Sequence, residues 1–376
     1  MGNQSNSFKI AVFEGDGIGP EIMAPTLEIL KSASANYDGI SLDFEILPAG
    51  AGHYRDTGSA LPKESMDRAR ASDAILLSAI GLPDVRYEDG TEIRPQVDLR
   101  FELGLYAGVR PVKVFPGANC PLSDPRAKDI DFVLVRESTE GLFAYMHDGK
   151  VVDDQYATET LKITRDTSEK LFDFSFSLAR QRAAEKGRPG KVTCVDKANI
   201  FRSFWFFRSI FEERAKLFPD VASDAAYVDA MAMWMVQRPW DFDVLVTENM
   251  FGDILSDLGA GVMGSLGLAP SADIGDDHAV FQPCHGSAPD IAGQGIANPL
   301  AMILSAGMML TWLGHQHASP QMIECGQGID DAVTRVLSSK RGLTRDLGGQ
   351  LGTEECALAV LDVFQLSGSK GNQEAG

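Results

Sequence analysis

The stretch Phe251-Gly252-Asp253-Ile254-Leu255-Ser256-Asp257 places two carboxylates four residues apart, directly after an apolar run at residues 242–247. The apolar run predicts a buried strand, and the spacing of the apolar residues that follow predicts a helix. On such a helix Asp253 and Asp257 share one face, where their like charges repel unless a cation lies between them. Carboxylate oxygens suit Mg²⁺ or Mn²⁺, so the stretch predicts a metal site, with a solvated helix face as the alternative.

The composition narrows the class of protein. A chain of 376 residues is long enough for two domains, and its net charge of -19 argues against a nucleic-acid partner. Its five cysteines form no C-x-x-C pair, which suits a reducing cytoplasm. Residues 1–6 lack an apolar signal region, and the apolar stretch at residues 300–313 is too short to span a bilayer. We therefore expect a cytoplasmic protein that binds neither nucleic acid nor membrane.

The N-terminal third indicates an α/β fold. Residues 8–13 predict a strand, and residues 15–21, Gly-Asp-Gly-Ile-Gly-Pro-Glu, turn it into a helix that runs to about Ser32. Pro20 stands where the third glycine of a dinucleotide fingerprint belongs, so a Rossmann interpretation of this loop is weak. Strand and helix patterns alternate from there to Ser78, which predicts an α/β fold with a largely parallel sheet.

Three arginines stand near the ends of predicted elements. Residues 97–103 predict a helix that ends near Gly108, with Arg100 and Arg110 ten residues apart around it, and Arg136 follows an apolar strand. A guanidinium binds a carboxylate through two parallel hydrogen bonds, so convergence of the three would form a di- or tricarboxylate site. Separate surface ion pairs are the alternative.

Further polar residues accompany other predicted elements. The strand at residues 191–197 delivers Lys197 and Asn199 to its carboxyl end, where open α/β sheets keep their ligands. The Met and Ala residues around Asp229 indicate core or interface, where an unpaired carboxylate is costly and a metal or a lysine would relieve it.

The loop that begins at His285-Gly286-Ser287-Ala288-Pro289-Asp290 is rich in small residues and leads to Asn298-Pro299 before the next helix. Its backbone N-H groups allow close approach of a phosphate, and Asp290 could accept a hydrogen bond from a ribose hydroxyl.

Taken together, these stretches resemble the β-decarboxylating dehydrogenases, the family of isopropylmalate, isocitrate, homoisocitrate and tartrate/malate dehydrogenases. The most specific stretches, which occur in the family's order, are residues 195–199, 227–231, 249–257 and 285–290. The resemblance implies an isopropylmalate/isocitrate dehydrogenase-like two-domain α/β fold without a Rossmann domain. Residues 1–105 and 264–376 would form a split cofactor-side domain, and residues 106–263 an inserted dimerisation and substrate domain.

The resemblance also implies a reaction: NAD-dependent and Mg²⁺- or Mn²⁺-dependent oxidation of a 2-hydroxy acid bearing a 3-carboxylate, followed by decarboxylation. Lys197 would remove the hydroxyl proton, and it would act with Asp229 from the second subunit of a homodimer. The implied substrate-binding residues are Arg100, Arg110, Arg136 and Asn199. The implied metal ligands are Asp229, Asp253 and Asp257. The implied cofactor-binding residues are His285, Gly286, Ser287, Ala288, Asp290 and Asn298.

One position departs from the family pattern. Phe143 occupies the place of the family's acid tyrosine, and Tyr145, two residues on, either substitutes for that acid or simply packs. This departure leaves open a second class of function, a non-catalytic ligand-binding or regulatory paralogue.

Substrate and cofactor choice are read from two places. In this family the turn before Arg100 faces the substituent on C3, and here it reads Arg94-Pro95-Gln96-Val97. An isopropyl group beside Gln96 would leave polar atoms without partners, at roughly 1 to 3 kcal/mol each. We therefore expect a malate- or tartrate-like acid, or one with a carboxylated side chain that Arg94 contacts.

The alternatives are a 3-isopropylmalate dehydrogenase, and a loop at residues 81–94 that points Arg94 at solvent. For the cofactor we expect NAD over NADP, because Asp290 would repel a 2′-phosphate. A helix-capping aspartate is the alternative at that position.

Overall fold

The computed structural model describes residues 6–37 and 39–371, so the prediction about the first residues of the chain lies mostly outside the described part. The strands there are β1 (Asn6–Phe13), β2 (Ile40–Ile46), β3 (Ala74–Leu77), β4 (Ala107–Lys113), β5 (Asp131–Glu137), β6 (Lys150–Val152), β7 (Tyr156–Thr158), β8 (Lys191–Asp196), β9 (Ala222–Tyr227), β10 (Val244–Thr247), β11 (Pro270–Ile274) and β12 (Ala279–Pro283). The α-helices are α1 (Gly19–Asn36), α2 (Ala51–Thr57), α3 (Lys63–Arg70), α4 (Pro95–Glu102), α5 (Arg165–Lys186), α6 (Arg202–Ala215), α7 (Val228–Gln237), α8 (Asn249–Met263), α9 (Leu300–Gln316), α10 (Pro320–Ser339) and α11 (Thr353–Gly371).

Ten strands form one sheet in the order β2-β1-β3-β12-β11-β4-β5-β10-β8-β9. The pairs at both ends are parallel, as the alternating pattern predicts. The central pairs β12-β11, β11-β4 and β4-β5 are antiparallel, which the sequence did not predict. The short turn between β11 and β12, closed by a hydrogen bond from Gly275 N to His278 O of 2.8 Å, requires the antiparallel arrangement.

In the sheet, the strands from the two ends of the chain lie on one side and the strands from its middle lie on the other. One half of the sheet holds β1, β2, β3, β11 and β12, and the other holds β4, β5, β8, β9 and β10. The two segments of the expected split domain therefore supply adjacent strands. β6 and β7 pair apart from this sheet as a small antiparallel hairpin with exposed Val151 and Tyr156.

The loop after β1 is held by a buried carboxylate. Asp16 accepts hydrogen bonds from the backbone N-H groups of Ala51, Gly52 and Gly81 at 2.8 to 2.9 Å. Gly17 has a φ of +56°, and a Cβ there would lie 2.1 Å from the carbonyl oxygen of Ser287. The glycines of this loop therefore serve turn geometry and close packing against a second loop.

The end of α4 and the start of β4 decide where Arg100 and Arg110 lie. α4 ends at Glu102, because Gly104 adopts the left-handed conformation with φ +62°, so the predicted continuation to Gly108 is wrong. Arg110 consequently lies on β4, next to β5, which carries Arg136.

α9 is buried along most of its length and packs on α10, β11 and β12. In the described part of the chain, no helix has both the length and the apolar character needed to cross a membrane.

Candidate active site

A cavity of about 620 Å³ brings together many of the residues that the sequence singled out. Those that line it are Arg94, Gln96, Val97, Arg100, Arg110, Arg136, Phe143, Asp253, Asp257, His285 and Gly286. The three buried arginines converge, which excludes the interpretation that they are separate surface ion pairs. Arg94 also faces the cavity, with Nη2 3.4 Å from His147 Nε2, and it is therefore not simply directed at solvent.

A carboxylate that the sequence reasoning missed holds two of the arginines. Asp273, buried on β11, accepts from Arg100 Nε at 3.0 Å and lies 3.7 Å from Arg110 Nη2. Burial alone would raise the pKa of Asp273, but the guanidinium groups of Arg100, Arg110 and Arg136 outweigh it and the net shift is downward. The only signal in the sequence is a lone carboxylate within a strand whose other residues are uncharged.

Three buried polar atoms of the cavity lining have no hydrogen-bond partner among the described residues: Arg110 Nε, Gln96 Oε1 and His285 Nε2. Leaving a buried polar atom unsatisfied costs roughly 1 to 3 kcal/mol. Three such atoms around one cavity indicate that it receives a polar ligand. The donor at Arg110 requires an anion or another acceptor, and the acceptor at Gln96 requires a hydroxyl or amide donor.

Asp253 and Asp257 lie one turn apart on α8, as predicted, and both are exposed at the cavity. Burial and the charge of Asp253 raise the pKa of Asp257, so a nearby cation would relieve this pair. A single chain supplies an incomplete ligand set, because among the described residues no group of three or more His, Cys, Asp or Glu could hold a metal ion. The two carboxylates fit a divalent cation that receives further ligands from elsewhere.

Lys197, Asn199 and Asp229 do not line the cavity of the same chain. Lys197 Nζ donates a hydrogen bond to the Asp229 carboxylate, which provides the lysine partner expected for that residue. The core alternative is wrong for Asp229, because it lies in the first turn of α7 with 67% of its side chain exposed, and the interface alternative stays a prediction. The structure of one chain therefore pairs Lys197 with Asp229 and places neither of them, nor Asn199, in the cavity of the arginines.

The loop after β12 packs against the glycine loop of β1. Ser287 O accepts from Ile18 N at 2.8 Å, and the Ser287 hydroxyl donates to Gly81 O. Burial lowers the pKa of His285, so its ring is neutral near pH 7. Asp290 is exposed and no helix begins beside it, so the helix-cap interpretation is wrong.

Asn298 joins this loop to a distant segment. Its Nδ2 donates to Asp346 Oδ2 at 2.9 Å, while its Oδ1 accepts from Leu300 N at 3.0 Å. Asp346 also accepts from Ser265 and Thr344, so it fixes the position of Asn298. Nothing in the sequence around Asp346 predicted this contact. Ala288 lies in the same loop with a φ of +37°.

The structure shows the surroundings of Phe143, which stands at the position of the family's acid tyrosine. Phe143 lines the cavity, with its ring centroid 5.3 Å from Arg136 Cζ. Tyr145 is exposed and does not line the cavity. Among the described residues, no tyrosine lines this cavity, so the chain does not replace the lost hydroxyl there by a shift of two residues.

A family model described as isocitrate/isopropylmalate dehydrogenase matches residues 9–360. The chain belongs to this family. It is therefore a β-decarboxylating dehydrogenase. The sequence left open a non-catalytic paralogue, and the chain is instead an enzyme.

Named relatives agree with this assignment. A 3-isopropylmalate/3-methylmalate dehydrogenase from Methanocaldococcus jannaschii is 43% identical over 94% of this chain and 97% of its own length. A 3-isopropylmalate dehydrogenase from Aquifex aeolicus is 41% identical over 84% of this chain and 87% of its own.

Solved structures share the fold. The crystal structure of an isocitrate dehydrogenase from Methylococcus capsulatus has a TM-score of 0.81 at 36% identity, covering 95% of this chain and 99% of that one. A β-decarboxylating dehydrogenase from Thermococcus kodakarensis has a TM-score of 0.78 at 34% identity, covering 97% and 98%. The expected isopropylmalate/isocitrate dehydrogenase-like fold is therefore confirmed.

Proposed function

We propose that this dehydrogenase oxidises a 2-hydroxy acid bearing a 3-carboxylate and a polar substituent on C3, with NAD and Mg²⁺ or Mn²⁺. The observation that carries the proposal is one cavity lined by three buried arginines, two exposed aspartates and three polar atoms without partners. Guanidinium groups bind the substrate carboxylates, and burial strengthens that attraction.

Arg110 is the main carboxylate anchor. Its side chain is only 7% exposed, and its Nε lacks a partner. Arg100 is fixed by Asp273, and Arg136 by Asn249 Oδ1 at 2.7 and 2.9 Å. These fixed guanidinium groups orient the substrate and hold its carboxylates away from water.

Asp253 and Asp257 of one subunit, with Asp229 of the other, would hold the divalent metal. When bound, such a metal polarises the C2 oxygen and lowers the pKa of the hydroxyl. Lys197 Nζ, oriented by its hydrogen bond to Asp229, receives the hydroxyl proton as the general base. Asn199 lies two residues beyond Lys197 and contributes a polar contact to the substrate.

A homodimer is required by this division of residues. The support is an exposed apolar face on three helices of the proposed inserted domain, residues 106–263. Trp205 on α6, Met233 on α7 and Ile254 on α8 are 63%, 49% and 62% exposed. A second copy packed on these helices would bury that face and bring Lys197 and Asp229 toward the partner's aspartates.

The cofactor site comprises the loop after β12 in the split domain formed by residues 1–105 and 264–376. Gly286 has open space around its α-carbon, and the unpartnered His285 Nε2 lies in the cavity lining. The residues that would hold NAD are His285, Gly286, Ser287, Ala288, Asp290 and Asn298. NAD would supply the hydride acceptor for C2, and the exposed Asp290 carboxylate favours a ribose 2′-hydroxyl over a 2′-phosphate.

The C3 substituent meets Gln96, Val97 and Arg94, which line the same cavity. Val97 supplies an apolar contact, whereas Gln96 offers a buried acceptor and Arg94 a cation. A C3 hydroxyl, as in tartrate, would satisfy Gln96, and a carboxylated side chain would meet Arg94. The second candidate is 3-isopropylmalate, favoured by the names of relatives about 40% identical to this chain.

Steady-state kinetics with NAD⁺ and Mn²⁺ would test the proposal on D-malate, tartrate, isocitrate, homoisocitrate and 3-isopropylmalate. We expect the highest kcat/KM for an acid whose C3 carries, besides the 3-carboxylate, a hydroxyl group or a carboxylated side chain. A value for 3-isopropylmalate far above all others would refute the polar substituent and leave the reaction class intact. No NAD⁺ reduction with any of the five acids would count against the reaction class itself.

A further inference from the structure

Cys284 is a thiol of the active-site cavity. It follows β12 directly, is partly exposed and lies in the lining between Pro283 and His285. Its Sγ is 3.4 Å from Arg110 Nη1, and on its other side it lies 3.5 Å from the Pro270 carbonyl oxygen. The proposed reaction assigns no role to this sulfur.

The other four cysteines lie in different surroundings. Cys194, Cys325 and Cys356 are buried, and burial raises the pKa of each thiol. Cys120 is partly exposed, as Cys284 is, but it lies outside the cavity. A partly exposed thiol beside a cation is the environment in which cysteines react, so Cys284 differs from the rest and Cys120 is its natural reference.

The neighbouring arginine indicates which reagents this thiol meets. Arg110 is 6% exposed, and its Nε has no partner although Asp273 and Cys284 occupy its other nitrogens. Such a donor at the cavity draws an acceptor, and the arginines of the lining outnumber its carboxylates even though Arg100 is paired with Asp273 and Arg136 with Asp253. A small carboxylate entering the cavity would therefore be held beside the Cys284 sulfur.

We propose that Cys284 is a covalent modification site for small carboxylic acids that carry a leaving group on the adjacent carbon, with Arg110 holding the carboxylate. The Cys284 thiolate attacks that carbon and forms the S–C bond. The bond from that carbon to the leaving group breaks, the leaving group departs with the electron pair, and the thiol proton passes to solvent. The attached carboxylate accepts a hydrogen bond from Arg110 Nε. This consequence rests on the proposed function: the attached group then prevents the substrate carboxylate from binding the same arginine.

The test uses iodoacetate and its neutral analogue iodoacetamide on the full chain, with alkylation at each cysteine followed by peptide mass spectrometry. The iodoacetate-to-iodoacetamide rate ratio is expected to be at least about fivefold higher at Cys284 than at Cys120, because only the former lies beside buried arginines. Equal ratios at the two cysteines would overturn the proposal.

Two variants test the part played by the guanidinium. Arg110→Met should lower the ratio at Cys284 to that at Cys120, whereas Arg110→Lys, which keeps a cation, should retain most of the preference. An unchanged ratio in Arg110→Met would contradict the proposal.

If Arg110→Met does not fold, malonate supplies the second measurement on the natural chain. This dicarboxylate should slow iodoacetate at Cys284 and leave Cys120 unaffected, and absence of protection would contradict the proposal. Labelling needs no turnover, so it is independent of the proposed reaction. A carboxymethylated enzyme with full activity would support the site and contradict the assignment of Arg110 to the substrate.

Discussion

The buried guanidinium of Arg136 on β5 forms an ion pair with the exposed carboxylate of Asp253 on α8. Burial lowers the pKa of Arg136 to about 10, so the group remains a cation at neutral pH. Arg136 also donates to Asn249 Oδ1, one turn before Asp253. The arginine proposed for the substrate and the aspartate proposed for the metal are thus directly coupled, and a change at one is felt at the other.

Replacement of Asp253 by Asn should lower kcat at least about 100-fold, because the amide is a poorer metal ligand and a weaker partner for Arg136. Titration calorimetry with Mn²⁺ separates the two causes, since loss of metal affinity is expected only if the aspartate is a ligand. Asp331→Asn, an exposed change remote from this cavity, serves as the control. Wild-type activity of Asp253→Asn after removal of metal by a chelator would show that the metal assignment is wrong.

A mixture of Lys197→Ala and Asp253→Asn subunits should recover activity. If each site takes Lys197 from one subunit and Asp253 from the other, a heterodimer contains one intact site and one doubly defective site. After random exchange about half of the dimers are mixed, so about a quarter of wild-type activity is expected. Native mass spectrometry of size-tagged subunits would verify exchange, and no recovery after complete exchange would rule out a shared site.

Local patterns predicted much of this structure. The apolar run at residues 242–247 predicted β10, and the spacing of the apolar residues after it predicted α8. Both predictions succeed because an element that buries a face repeats its apolar residues with a recognisable period over a few residues. The alternation of strands and helices predicted the parallel ends of the sheet in the same way. The helix that was predicted to reach Gly108 failed at Gly104, where a positive φ ended it.

Contacts between distant segments could not be predicted in this way. Asp273 pairs with Arg100 across 173 residues, and Asp346 binds Asn298 across 48. The place of Cys284 beside Arg110 likewise depends on how β4, β11 and β12 align in the antiparallel centre of the sheet. These pairings follow from tertiary packing, and the local sequence pattern carries no trace of them.

Gln96→Leu should shift substrate preference toward an apolar C3 substituent. The change removes the buried Oε1 that lacks a partner and presents an aliphatic side chain to the same cavity. One unsatisfied polar atom is worth roughly 1 to 3 kcal/mol, so the kcat/KM ratio of 3-isopropylmalate to tartrate should rise about tenfold or more.

The matched control for this substitution is Gln155→Leu, which makes the same exchange at an exposed turn beyond the cavity. It should leave the ratio unchanged. A ratio in Gln96→Leu equal to that of the wild type would indicate that the C3 substituent does not reach Gln96.

Asp290→Ser should weaken the preference for NAD over NADP. The exposed carboxylate would repel a 2′-phosphate, and serine removes the charge while keeping a hydroxyl near the ribose. We expect the kcat/KM ratio of NAD to NADP to fall about tenfold, mainly through better use of NADP. Glu354→Ser, which removes an exposed carboxylate elsewhere, controls for net charge. A wild-type preference for NADP would refute the assignment of Asp290.

Glu137, at the end of β5, gives the fold a pH dependence of known sign. Burial raises the pKa of its carboxyl from the ordinary value of 4.5 to about 7, against hydrogen bonds from Thr139 and Glu140 that lower it. The folded chain therefore binds this proton more tightly than the unfolded chain does. Its contribution to stability is complete below pH 4.5 and is lost as the pH rises through 7.

Glu137→Gln tests this dependence, because the amide mimics the protonated carboxyl at every pH. In urea unfolding, the wild type should lose about 2 kcal/mol of its free energy of unfolding between pH 5.5 and pH 8 through this group. The total loss in the variant should be smaller than that in the wild type by the same amount. Glu354→Gln, at an exposed position, should keep the wild-type slope. Identical slopes for Glu137→Gln and the wild type would mean that Glu137 does not hold its proton in the folded chain at pH 5.5.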